Sequence, residues 1–505
     1  MLFNSYIFVL FFLPVTIGGY FLINKYKKTE TSIDLWWLFF MSLWFYGYTN
    51  PIYLILLLLS VGINYFVSVK INRARDISKT SVAKVWMIFG IGFNLILLLY
   101  FKYFDFFVSN INLALGTDWT LKNLVLPLGI SFFTFKQIAY VADCYQMEER
   151  IHYKWIEYAS YVTFFPQLIS GPIGLHYEFV PRMREKALKT INYDNMNQGL
   201  YAVTMGLAKK GLIADNLSKM IDVGFADIRH LSGASAWLLM LAYTLQLYFD
   251  FSGYSDVALG IEKMLNLEPV VNFNSPYKAK TVSEFWSRWH MSLTRFFTRY
   301  VYIPFGGSRK GKVRTYLNTM IVFFLSGLWH GANWTFILWG FLHGLVMTAE
   351  KIIKDFWKNV IKIKIKNKIL LFLGRVVGWI YTFLFVNLAW ILFRVTDMKE
   401  AKKFASKLLI NDWIISPVIL EKVNNLLEIR ISVRLGLSNI VAEYSWLPCV
   451  LMMIALLFAV LFMKNTQEKM VMEKYGVLRS IFVVGLLVWS IISFADVSEF
   501  LYFNF

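Results

Sequence analysis

The feature that most constrains this sequence is a succession of apolar runs, each about as long as a bilayer is thick, separated by short basic segments. A spanning helix needs about 20 mostly apolar residues. Such runs lie at 6–23, 33–47, 51–69, 82–107, 124–141, 198–213, 234–261, 369–395, 444–463 and 477–498, with shorter or interrupted ones at 155–175 and 316–348. Charged residues make up 16% of the 505-residue chain and hydrophobic ones 57%. A soluble domain carries roughly 25% charged residues, and a single soluble core stops growing near ~250–300 residues. The expectation is an all-α polytopic membrane protein with about ten transmembrane helices plus re-entrant or broken segments. It forms one domain over 1–505, with its densest motifs at 124–350.

The net charge of +19 can signal nucleic-acid binding. Here the basic residues sit between apolar runs, as in cytoplasmic loops under the positive-inside rule, so the expected partners are membrane lipids and not nucleic acid. Lys25, Lys27 and Lys28 follow the first run. They place that loop in the cytoplasm and the N-terminus outside, and the span count then puts the C-terminus outside too. The turn between the next two runs falls at Gly47 to Pro51, where Gly and Asn-Pro supply breakers. The nearly uncharged stretch 109–122 reads as external. The first run has no basic region before it and no small-residue cleavage site after it, so it reads as a span and not a cleaved signal. Two cysteines, Cys144 and Cys449, cannot make a disulfide framework.

Loop 262–315 holds ten Lys/Arg against three acids, and 350–368 holds seven lysines. The apolar segment between them therefore leaves and returns on the cytoplasmic side. Its middle, Ser326 to Asn333, is polar and glycine-rich. Two half-length helices meeting at a break are expected there, since non-helical backbone is tolerated at membrane depth where protein or water surrounds it. His330 then lies near the apex, ~24 Å of helix from Arg314. Pro166, Gly171 and Pro172 break the 155–175 stretch in the same way.

An ionisable residue at membrane depth is a functional candidate. His330 is the strongest, because imidazole accepts a proton near neutral pH; the bland alternative is a hydrogen bond between helices. His290 closes a segment in which Thr281 and Glu284 have capping-box spacing. There Phe285, Trp286, Trp289 and Leu293 share one face of an expected amphipathic cytoplasmic helix, with Arg288, Arg295 and Arg299 on the other. These arginines suit lipid phosphates or a phosphate-rich donor equally. With the basic loop that follows, the element covers 281–315. His343 reads as packing, and His152, His176 and His230 carry little signal. Gln246, Asp250, Tyr254 and Asp256 form a polar network that orients helices or serves catalysis. A serine-esterase nucleophile motif, a P-loop and a dinucleotide fingerprint do not occur. His290, His330 and an aspartate do not have the spacing of a known zinc motif, so no metal site is expected.

Several segments carry a resemblance. They are residues 285–293 (Phe-Trp-Ser-Arg-Trp-His-Met-Ser-Leu), 302–307 (Tyr-Ile-Pro-Phe-Gly-Gly) and 327–334 (Gly-Leu-Trp-His-Gly-Ala-Asn-Trp). With 126–135, 167–173, 248–256, 387–394 and the terminal Tyr502-Phe503-Asn504-Phe505, the chain resembles the membrane-bound O-acyltransferase family. It is most similar to the bacterial branch that acetylates alginate and peptidoglycan. The resemblance implies a ring of helices around a thin centre and a location in the bacterial cytoplasmic membrane. It implies acetyl-coenzyme A as cytoplasmic donor substrate, with no resident cofactor, and a separate extracytoplasmic acetyltransferase that modifies the glycan. His330 corresponds to the family's essential histidine and His290 to its second. Trp289, Trp329 and Asn333 flank them as candidate substrate contacts. The branch usually has Arg-Asp where this chain has Thr298-Arg299. The rival functions are a glycan or acyl-group transporter and a non-catalytic scaffold; a transporter often shows paired repeats, and none is seen.

Overall fold

The computed structural model describes residues 1–27, 31–361, 366–432, 434, 443–472, 476–496 and 500–501. The terminal motif Tyr502–Phe505 therefore lies outside the described residues, as does Lys28. Among the described residues the protein is helical throughout, without strands. Five helices are long and apolar enough to cross a bilayer: Phe8–Tyr26, Ile52–Asp76, Thr80–Leu115, Trp334–Val360 and Lys368–Arg394. Leu447–Phe462 and Val477–Ile492 are apolar but shorter. Gly233–Met264 runs for 32 residues and is buried along most of its length. Its polar side chains face other helices, so it needs no apolar coat.

Two large apolar cores organise the chain. The N-terminal helices through Ile130–Gln146 pack around one, with the broken stretch inside it. That stretch is a helix at Trp155–Thr163, a single turn at Phe165–Leu168, and buried irregular chain up to His176. The second core holds the 236–251 part of Gly233–Met264, the 282–302 segment and the helices around His330, while Tyr254 to Met264 of the same long helix pack into the first.

The basic segments gather at one end. Lys27 and Lys189 both bind Asp34, at 2.9 and 2.5 Å. Arg184 binds Glu157 at 2.7 Å, and Arg75 donates to the Cys144 and Met147 carbonyls. At the opposite end the Met1 ammonium meets Phe45 O and Thr49 Oγ1, both at 2.9 Å. The protein is a multi-pass membrane protein.

Three of the boundaries that differ from the sequence expectation have a local physical cause. The 124–141 run becomes helical only at Ile130, because Pro127 disfavours helix before it and Gly129 adopts φ +72. The stretch 109–122 is helical up to Leu115, where Gly116 closes the helix at φ +64, a left-handed cap. The arms around His330 are not half-length. They are Lys312–His330, 19 residues, and Trp334–Phe356, 23 residues, because each helix continues past the apolar run into its basic flank. Both flanks do return to one place, where Lys312 reaches Asp355 at 3.5 Å and Lys351 reaches Thr319 at 2.7 Å.

Candidate active site

The two arms can approach closely because glycines face each other. A Cβ on Gly327 would lie 2.4 Å from the Phe336 carbonyl, and one on Gly340 2.3 Å from the Phe323 carbonyl. Residues 331–333 form the turn. Asn333 caps the second arm, accepting from Thr335 N at 3.0 Å, and donates to Thr396 O at 2.7 Å. His330 is the last residue of the first arm and is 3% exposed. Its ring lies edge-on to Trp329, Trp339 and Phe393, with centroids 4.9, 5.2 and 4.9 Å away.

His290 sits at a second break. The amphipathic helix expected here is instead two short helices, Val282–Trp286 and Met291–Phe297, followed by a π turn. The anticipated cap is present, with Thr281 Oγ1 accepting from Glu284 N at 3.0 Å. Glu350, on the second arm, caps the same turn by accepting from Val282 N and Ser283 N. The interruption comes at residues 287–290, and His290 has φ +45 and ψ +52. A non-glycine residue there stores strain of order 1 kcal/mol. Asn272 holds the kink: its Oδ1 takes Ser292 Oγ at 2.7 Å and lies 3.3 Å from His290 Nδ1, while its carbonyl takes Met291 N at 3.0 Å.

The rings expected to face lipid are therefore buried in protein. Trp289 packs against Phe285, Phe273 and Trp390. Trp286 donates to His343 Nδ1 at 3.1 Å. Trp329 lies between the two leading histidines, 6.0 Å from His290 and 4.9 Å from His330. His343 joins the cluster through Trp339 at 4.7 Å. Three histidines from separate stretches thus share one tryptophan-rich core. Among the described residues no three His, Cys, Asp or Glu side chains converge as a metal-ligand set.

The arginines point away from this core and are already paired. Arg288 binds Glu284 at 2.8 Å. Arg295 binds both Glu178 oxygens, and Arg299 binds Asp143 at 3.0 Å. Asp143 also takes Tyr300 Oη at 2.8 Å and lies 3.2 Å from His176 Nε2. His176 is thus a buried cross-link that its place near a loop did not suggest. A cavity of about 250 Å³ runs between the 286–302 segment and the first arm, from Lys351 and Tyr302 to Ser326. Ser326 lies one helical turn before His330.

Among the described residues the aspartates of the Gln246–Asp256 group are held through two lysines. Asp250 pairs with Lys210 at 2.7 Å, and Lys210 also reaches Asp215 at 2.8 Å. Asp256 pairs with Lys209 at 2.6 Å and accepts from Thr466 at 2.6 Å. Tyr254 stacks on Phe3 and meets Phe500 edge-on. Gln246 is buried nearby. Lys209 and Lys210 were hidden in a run that reads as an ordinary span. They open a π-helical stretch, Lys209–Ala214, a feature frequent where a helix must re-aim side chains.

Residues 146–395 match the membrane-bound O-acyltransferase family pattern. The chain is 40% identical to a peptidoglycan O-acetyltransferase of Helicobacter pylori over 427 residues, covering 80% of this chain and 79% of the relative. It is 35% identical to a probable alginate O-acetylase of Pseudomonas syringae over 426 residues, 82% of this chain and 77% of the relative. A teichoic acid D-alanyltransferase of Bacillus subtilis is 29% identical over 236 residues, 45% of this chain and 59% of the relative. The broken-helix histidines, the buried aromatic core and these relatives agree: the chain belongs to the membrane-bound O-acyltransferase family and is an O-acyltransferase.

Proposed function

We propose that this protein moves acetyl groups from acetyl-coenzyme A, on the cytoplasmic side of a bacterial inner membrane, toward a cell-surface glycan of the peptidoglycan or alginate type. The observation that carries the proposal is His330 at the apex of a hairpin whose two arms return to the basic end. Donor phosphates approach the exposed Arg309 and Lys310, since Arg288, Arg295 and Arg299 are occupied by carboxylates. The cavity that reaches Ser326 is the route for the thioester.

In the proposed chemistry His330 is the general base. It takes the proton of an acceptor hydroxyl as the oxygen attacks the thioester carbonyl carbon. The new C–O bond forms, the C–S bond breaks, and the imidazolium returns the proton to the leaving thiolate. His290 packs against the Trp329 ring that also meets His330. The site is narrow and a glycan is bulky, so the acceptor hydroxyl belongs to a carrier or an extracytoplasmic acetyltransferase that completes the modification.

The test is purified protein in vesicles with acetyl-coenzyme A inside and glycan outside. Acetylation should require the second protein. Efficient glycan acetylation by this chain alone would overturn the relay and keep the transferase. No acetyl transfer with any acceptor, alongside solute flux across the vesicle, would favour a transporter.

A further inference from the structure

A helix leaves its last four carbonyls without intrahelical donors, and its C-terminus carries a partial negative charge. The helix ending at His330 meets both conditions inside the protein, where fraying would move the imidazole itself. Its last carbonyls are capped from a distant element. Tyr103 Oη donates to Leu328 O at 2.7 Å. Lys102 Nζ donates to Trp329 O at 2.6 Å and to His330 O at 3.2 Å. The ammonium also lies 5.8 Å from the Trp329 ring centroid.

Both donors come from a five-residue π stretch, Leu99–Tyr103, inside the Thr80–Leu115 helix. A π turn lets two adjacent side chains reach one neighbouring helix end, and such turns are frequent at functional sites. The charge pattern points the same way. Lys209 and Lys210, also within apolar surroundings, each have an aspartate within 2.8 Å. Among the described residues no ion pair includes Lys102; its counter-charge is the helix end that carries His330.

We propose that Lys102 is a positioning residue for acyl transfer: with Tyr103 it clamps the last turn before His330 and so fixes the imidazole against the reacting atoms. This rests on reading His330 as the base. The clamp touches the base and not the donor route, so kcat should fall while the donor KM holds.

The experiment uses the full chain in native membranes, radiolabelled acetyl-coenzyme A as probe, and transfer to the cell-envelope fraction. Lys102→Met should lower kcat about 30-fold, with donor KM within about twofold and normal membrane abundance. Lys102→Arg should recover most of the loss, because a guanidinium can cap the same carbonyls. Tyr103→Phe, which deletes one oxygen, should cost about threefold in kcat. Wild-type kcat in Lys102→Met, or equal loss in the Met and Arg variants, overturns the proposal. If Lys102→Met does not accumulate, Tyr103→Phe decides, and an unchanged kcat there overturns it as well. Activity in His330→Ala would instead remove the underlying reading, whereas an inactive His330→Ala beside a fully active Lys102→Met removes only this one.

Discussion

Two of the polar clusters within the apolar body of this protein are built by opposite rules. Around Lys209 and Lys210 every charge meets a counter-charge within 2.8 Å; the Thr466 hydroxyl donates to the same Asp256 oxygen as Lys209, and the Leu501 amide donates to the second Asp250 oxygen. Around His330 the neighbours are tryptophan and phenylalanine rings, and the backbone is broken at both His290 and His330. The first arrangement joins helices through paired charges. The second holds imidazoles at turns, where backbone can approach a substrate. A buried charge is thus a poor guide to catalysis by itself; what its partners leave available decides.

The largest expected effects should separate the clusters cleanly. His330→Ala should lower acyl transfer by about 10³-fold, the scale of a lost general base, while the protein reaches the membrane at normal levels. Lys210→Met removes the ammonium that Asp250 and Asp215 share and should cost about 3–5 kcal/mol, read as lost thermal stability in detergent. Adding Asp250→Leu and Asp215→Leu to it should recover part of that stability. A stable Lys210→Met protein without activity would place the lysine cluster in the chemistry and dissolve the contrast.

A smaller effect tests the strained histidine. His290→Ala should lower activity about 10- to 100-fold, combining a lost side chain with a backbone that resists φ +45. His290→Gly suits that backbone, which glycine adopts without steric cost. Equal loss in both variants assigns the effect to the imidazole. Recovery in the glycine variant reduces His290 to a shaped turn and leaves His330 the sole chemical histidine of the pair.

The sequence made some of this visible. The second apolar run, 33–47, is one helix with those bounds. Basic flanks disclosed that the His330 hairpin returns to its starting side, and the Thr281 cap is where its spacing put it. These are local signals: hydropathy, charge and side-chain reach of a few residues. The break at residues 287–290 was not legible, because the same aromatic spacing suits a continuous amphipathic helix. Only the packing of Trp286 against both arms and of Trp289 against Phe273 and Trp390 shows why the chain turns there. Lys102 and Tyr103 meet carbonyls 225 or more positions away, and Asn272 and Asp143 are likewise chosen by tertiary position. Nothing in their neighbourhood marks them.

The smallest effects concern the arginines, and they extend the contrast to the basic surface. Arg295 is held by Glu178 and the Ile173 carbonyl, whereas Arg309 and Lys310 are exposed. If paired charge is architecture here too, Arg295→Gln should change the donor KM by less than about twofold, with any stability loss near the ~1 kcal/mol of a part-exposed ion pair. Adding Glu178→Gln should restore that stability, because the carboxylate no longer lacks its partner. Arg309→Gln with Lys310→Gln should raise the donor KM about three- to fivefold, and the effect should shrink as salt screens the exposed charges. A KM rise in Arg295→Gln that persists in the Glu178→Gln double variant would mean that the arginine reaches the donor. Paired charge would then not mark architecture at this face, and the division between the two buried clusters would stop at the membrane surface.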